Sequence, residues 1–263
     1  MNQLLSIKFR LAFAVFLSIF AVSQSFFGQT PKDSCFKMHL VSAQFSGQLP
    51  GGDLAKRFGS NLNVGVAYLY KTRKNFLFGI DPNYFFGNNV KEDVLAGLKT
   101  SEGTITNTDG NFAEVRVNER GWNVHVCAGK IIPTVFRKKI SPNPNSGIMI
   151  VFGAGYMFHF INILNEERNV PQVAGDYKKG YDRLTGGLSL KQFIGYNFLS
   201  NNRLLNFYAG FECYQGFTKS MRTYDYDLMK SDTKNRFDLL YGFRVGWILP
   251  IYKRRESENL FIY

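Results

Sequence analysis

The chain has 263 residues, enough for one domain of ordinary to large size. Aromatic residues make up 16% of it, with 26 Phe and 14 Tyr, which is too much apolar surface for a disordered chain. The formal charge is +12, from 32 Lys and Arg against 20 Asp and Glu. Such a charge points to an anionic partner, but Phe and Gly at these levels do not suit a nucleic-acid groove, and nucleic acid is set aside. Only the N-terminal segment approaches the apolar length of about 18 residues that a membrane helix needs, so a bundle of membrane helices is excluded as well.

Residues 1–25 have the pattern of a secretory signal peptide: Lys8 and Arg10, then the apolar run Leu11 to Val22, then Ser23-Gln24-Ser25 at a cleavage position. The mature chain, 26–263, is expected to be exported. Asp33-Ser34-Cys35 is a poor lipidation site, and Cys35, Cys127 and Cys213 share no metal-type spacing.

Beyond the N-terminus, polar and apolar residues alternate with period 2, the pattern of half-buried strands. A weaker strand is expected at 38–47. Residues 61–71 set Leu62, Val64, Val66, Tyr68 and Tyr70 against Asn61, Asn63, Gly65, Ala67 and Lys71. Residues 76–86 set Phe76, Phe78, Ile80, Tyr84 and Phe86 against Leu77, Gly79, Asp81 and Asn83. Strands at 122–129 and 148–160 follow, the first with His125 and Cys127 on its polar face and the second with Gly153, Gly155 and His159 there. A weaker strand at 185–197 carries Gln192 on its apolar side. Residues 204–217 alternate Phe207, Ala209, Phe211 and Cys213 with Tyr208, Gly210, Glu212 and Tyr214. The clearest case is 237–249, with Phe237 through Leu249 on odd positions. Cys127 and Cys213 thus fall on opposite faces and are not expected to bond.

The connections alternate in length. Residues 48–59, 88–120, 161–184 and 218–235 are long and polar, whereas 72–75 and 198–203 are short and 133–146 intermediate. Long and short connections alternating along an up-and-down meander indicate an all-β, antiparallel transmembrane barrel of about eight strands in an outer membrane. The polar face is Gly, Asn, Ser and Ala with few charges, which suits a packed lumen, whereas a soluble barrel would show Lys and Glu to water. Trp122, Tyr84, Tyr70 and Trp247 stand near strand ends, where an interfacial aromatic girdle belongs.

Over residues 37–252 the strand-and-loop pattern resembles small eight-stranded outer-membrane barrels of the OmpA transmembrane type, and is similar to the PorT-like and PorG-like accessory barrels of type IX secretion in Bacteroidota. The resemblance implies an integral outer-membrane protein of the cell envelope, with a secretion or gliding apparatus as its protein partner. Such barrels close on a final strand ending in an aromatic residue. Here the chain ends Leu260-Phe261-Ile262-Tyr263, beyond a last full strand that stops near Tyr252.

Among residues that could carry function, Asp81, Lys191, Glu212 and Arg244 point inward near mid-strand, and in so narrow a lumen they must pair. A basic rim is expected on the periplasmic side, from Lys71, Arg73, Lys74, Arg137, Lys138, Lys139, Arg203, Lys253, Arg254 and Arg255. It would meet anionic lipid headgroups or an acidic periplasmic protein. The long loops balance their charges. Within 88–120, Val90 to Leu98 is helix-like, and Thr104 to Arg120 can extend a hairpin above the membrane. No Ser/His pair of a barrel deacylase is evident, and His125 lacks an orienting group. The expectation is an interaction module without catalytic activity, cofactor or metal; a small solute pore and a lipid-modifying barrel enzyme are the alternatives.

Overall fold

The computed structural model describes residues 37–133, 145–165, 170–199 and 206–251. The expected signal peptide, Cys35, Arg137 to Lys139, Arg203 and the tail from Tyr252 onward lie outside the described residues.

The strands are β1 Met38–Gly52, β2 Asn61–Lys71, β3 Phe76–Gly87, β4 Ile105–Thr106, β5 Phe112–Ala113, β6 Val115–Ile132, β7 Gly147–Asn165, β8 Thr185–Leu199, β9 Asn206–Ser220 and β10 Asn235–Ile251. Eight of them close into an antiparallel barrel in the order β1-β10-β9-β8-β7-β6-β3-β2, and β4 and β5 form a small separate hairpin. Closure comes from β10 against β1, from His39 opposite Ile251 to Gly52 opposite Asp238. The barrel therefore closes on the strand containing Phe237 to Leu249. Closure satisfies the backbone groups that an open sheet edge would leave bare in hydrocarbon.

The strands run further than their alternation suggests. β6 and β7 pair from Val115 opposite Asn165 to Ile132 opposite Ile148. A membrane strand needs only about 9–11 residues, so the outer end of this hairpin stands above the bilayer. Parts of the expected loops 48–59, 88–120, 161–184 and 218–235 are thus strand. The helix-like stretch from Val90 to Leu98 forms only a 3-10 turn at Ala96–Leu98. The first long connection carries the one-turn helix α1, Leu54–Arg57.

The outer wall is apolar: Phe45, Val66, Phe78, Val126, Leu188, Phe211 and Phe243 are all exposed on it. A wall of this kind is unstable in water and stable in hydrocarbon, so the barrel is an integral membrane barrel of the outer-membrane type. Tyr84 and Trp122 pack at 4.6 Å on one rim, and His39, Tyr68 and Tyr70 cluster at the other. Gln192, a polar residue on this wall, meets Gln215 across the β8–β9 pair at 3.4 Å.

The interior is filled in layers. At the short-turn end Met38, Leu77, Ile131, Met149, Phe193, Tyr208 and Ile248 make an apolar floor. At the long-loop end Leu54 and Phe58, from and beside α1, pack with Phe85, Leu95, Met157, Ile161 and Leu240 into an apolar cap. Between floor and cap lies a polar layer.

Candidate functional site

The polar layer is built on four strands that each contribute one charge. Asp81 comes from β3, Lys191 from β8, Glu212 from β9 and Arg244 from β10, and all are buried. Lys191 pairs with Asp81. Arg244 places Nη1 3.1 Å from Asp81 Oδ2 and Nε 2.5 Å from Glu212 Oε2. Two cations thus face two anions, and the layer is neutral as a unit. Amides and hydroxyls take up the remaining lone pairs: Gln44 Nε2 donates to Asp81 Oδ1 at 2.5 Å, and Ser46 Oγ and Gln48 Nε2 donate to Glu212 Oε1 at 2.6 and 2.7 Å. Tyr214 bridges Arg244 and Glu212. Gly246 makes room for the Tyr208 ring, since a Cβ there would lie 2.3 Å from it. Side chains fill the interior of a barrel of eight strands.

The histidines divide by face. His39 lies on the outer wall, with Nδ1 2.7 Å from the Tyr68 hydroxyl. His159 is buried with Nε2 3.0 Å from Asp238 Oδ2, an oxygen that also accepts a bond from Thr218 Oγ1. His125 Nε2 lies 2.7 Å from Ser189 Oγ, a contact the sequence reading did not identify. Sequence spacing conceals it because the two residues sit on β6 and β8, with β7 between them. Gly155 pairs with His125 on one side and Ser189 on the other, so the two side chains meet across that strand. Both residues are sealed, and among the described residues His125 Nδ1 has no hydrogen-bond partner to orient the ring. Cys127 faces the lumen and Cys213 the wall, and both are free thiols.

The basic rim is altered by one residue. Lys71 is fully buried and its Nζ donates to Asn145 Oδ1 at 2.7 Å. It occupies an inward position of β2 and so does not belong to the exposed rim. Arg73 and Lys74 do, both exposed on the turn between β2 and β3.

The long loops hold a feature invisible in the sequence. Arg57 Nε donates to Glu92 Oε2 at 3.0 Å, Arg183 Nη2 lies 3.2 Å from Glu92 Oε1, and Arg183 also pairs with Asp227. The four residues come from the four long connections, so one ion-pair chain ties all of them together over one mouth of the barrel. Arg57 also donates to Thr185 Oγ1 at 2.9 Å and to the Arg183 carbonyl at 3.1 Å. Arg222 clasps Asp182 through Nε at 2.9 Å and Nη2 at 2.5 Å, and this contact raises the Arg222 pKa above its ordinary value. Asp53 locks the start of α1 to β10, its N–H donating to the Phe237 carbonyl and its Oδ2 accepting from the Phe237 N–H, both at 3.0 Å. Outside this clasp Tyr177, Met221, Tyr224, Tyr226 and Met229 remain exposed. Among the described residues no group of three or more His, Cys, Asp and Glu is arranged to hold a metal ion.

No protein-family model matches the sequence, and no curated protein matches it. Among solved structures, Neisserial surface protein A is similar at 12% identity and a TM-score of 0.41, over 80% of this chain and 96% of that one. OprG from Pseudomonas aeruginosa is similar at 11% identity and a TM-score of 0.37, over 84% and 99%. A major outer membrane protein from Thermus thermophilus is similar at 10% identity and a TM-score of 0.37, over 80% and 98%. The closed antiparallel barrel is established by the chain's own strand pairing.

Proposed function

We propose that this barrel is a sealed anchor of the outer membrane that acts as an interaction module of the cell envelope, without catalytic activity. The observation that carries this reading is the lumen, blocked in turn by an apolar floor, a neutral charge layer and an apolar cap. A molecule closed at three levels works through its surfaces. Two surfaces are available: the clasped external loops with their exposed Tyr177, Tyr224 and Met229, and the basic periplasmic rim. Membrane lipid and an acidic face of an envelope protein are the partners these surfaces suit. A place beside a secretion or gliding apparatus is the finer form of this reading, supported by the resemblance of the strand-and-loop pattern to type IX accessory barrels.

The test is a photo-crosslinking residue placed at Tyr177 and, separately, at Lys139 in cells, together with a deletion strain assayed for secretion of outer-membrane cargo. Crosslinks to secretion or gliding components and a cargo defect rescued by the plasmid copy are expected. Crosslinks to lipid alone, with normal secretion, would remove the accessory role.

A further inference from the structure

The periplasmic end of the outer wall carries a groove of about 380 Å³ lined by Lys37, Thr72, Arg73, Lys74, Phe76 and Phe78. Its exposed lining is almost wholly carbon, and the cations of the adjoining turn stand beside it. Phe76 and Phe78 stand on the lipid-facing side of β3, their rings stacked at 6.5 Å, with 37% and 50% of their surface exposed. The cations sit at the water end, on the turn that joins β2 and β3 and on Lys37 beside it.

That turn is rigid. Thr72 N–H donates to the Phe76 carbonyl at 2.8 Å, Phe76 N–H to Thr72 Oγ1 at 3.0 Å, and Asn75 N–H to the Thr72 carbonyl at 3.1 Å. Asn75 takes the left-handed φ of 62° that an asparagine tolerates, and its carbonyl accepts the Ile131 N–H at 2.9 Å, tying the turn to the end of β6. Arg73 and Lys74 are thus displayed from a fixed bend. Lys130, also near the end of β6, places Nζ 4.8 Å from the Phe76 ring centre.

Among the described residues this end of the barrel offers the turn no carboxylate. Residues 37–42, 68–80, 128–133, 145–150, 194–199, 206–209 and 246–251 make up the described periplasmic end, and they include no Asp or Glu. Lys71 turns its charge inward to Asn145, whereas Arg73 and Lys74 face outward.

We propose that this groove is a binding site for one anionic glycerophospholipid of the periplasmic leaflet. Its phosphate would lie among Lys37, Arg73 and Lys74, with an acyl chain along Phe76 and Phe78. The two-part chemistry selects the occupant. A soluble phosphate would leave the phenyl rings unused. The ammonium of a choline headgroup would face the same cations that hold its phosphate. An acidic peptide would pair with the cations but has nothing to place on a ring face already in hydrocarbon. The site rests on the membrane placement and basic rim proposed above, and narrows the lipid part of that reading to one headgroup class and one groove.

The experiment is native mass spectrometry of the full refolded chain, released from micelles holding equal phosphatidylglycerol and phosphatidylcholine. One retained phosphatidylglycerol is expected, favoured about tenfold or more, with the preference lost in the Arg73→Gln/Lys74→Gln variant. Phe78→Ala should weaken retention while keeping the preference, and glycerol 3-phosphate should not compete. Equal retention by the wild type and the double variant would overturn the site, as would displacement by glycerol 3-phosphate or by an oligoglutamate peptide. Each protein is first reconstituted into lipid nanodiscs. Failure of the wild type to insert would overturn the membrane placement itself, whereas insertion without headgroup preference would overturn the groove alone.

Discussion

Arg244 shows how one side chain can hold a layer of the molecule together. It is the only charged residue that touches both carboxylates of the polar layer among the described contacts. Removing one partner of a buried pair leaves an uncompensated charge and costs about 3–5 kcal/mol, whereas removing a balanced pair costs much less. Arg244→Met is therefore expected to lower stability by about that amount in urea unfolding from lipid vesicles. Adding Glu212→Gln to Arg244→Met should restore part of the loss, because Lys191 and Asp81 still balance. A double variant as unstable as the sum of the singles would show that the pair is not coupled. That these four charges point inward is legible from period 2 alone. Which ones pair depends on barrel closure, which brings β3 within reach of β8 and β10 across the lumen. The Ser189–His125 contact was illegible for the same reason, since it needs two registers.

At the scale of elements, the cap depends on α1. Phe58 is fully buried, packs edge-on against His159 at 5.6 Å, and sits in the same apolar cluster as Leu54. Phe58→Ala is expected to cost the cap about 3–5 kcal/mol and open the loops to protease, while the barrel keeps its folded gel mobility. A second prediction concerns the fourth loop. Asp225 is buried, and among the described residues neither of its carboxylate oxygens has a hydrogen-bond partner. Burial raises its pKa above the ordinary 3.8; Arg183 opposes this, and Asp227 and Asp232 add to it. A carboxyl with a folded pKa above its unfolded one binds its proton more tightly in the folded loop. Its contribution is complete below the unfolded pKa and is lost as pH rises through the folded one. Hydrogen-exchange protection of residues 221–234 should therefore fall as pH rises above about 4, and Asp225→Asn should flatten that dependence. Unchanged pH dependence in the variant would assign the effect elsewhere. The near-balance of loop charge was the one sequence signal of the clasp. It says that the loops can neutralise themselves, but not that Glu92 is shared by Arg57 and Arg183.

For the whole molecule, floor, charge layer and cap act in series. Planar-bilayer recordings of the refolded protein should show no steady ohmic channel, and the Phe58→Ala variant should show none either, because the lower two layers remain. A robust conductance in the wild type would instead favour the solute-pore alternative. The same sealing bears on the enzyme alternative: Ser189→Ala should leave any lipid-modifying activity of the purified protein unchanged.

The sequence by itself determined the class of fold, the strand faces and the direction of the wall. A two-residue period in a chain rich in Phe leaves one face for lipid and the other for a narrow lumen. It could not determine where strands end, because β6 and β7 continue above the membrane, where pairing persists after the hydrophobic pattern has weakened. Tertiary structure alone decided that the inward Lys71 meets Asn145, that His125 meets Ser189 across β7, and that four loops close on one chain of ion pairs. Each of these depends on strands distant in sequence becoming neighbours, and closure of the barrel fixes those distances all at once.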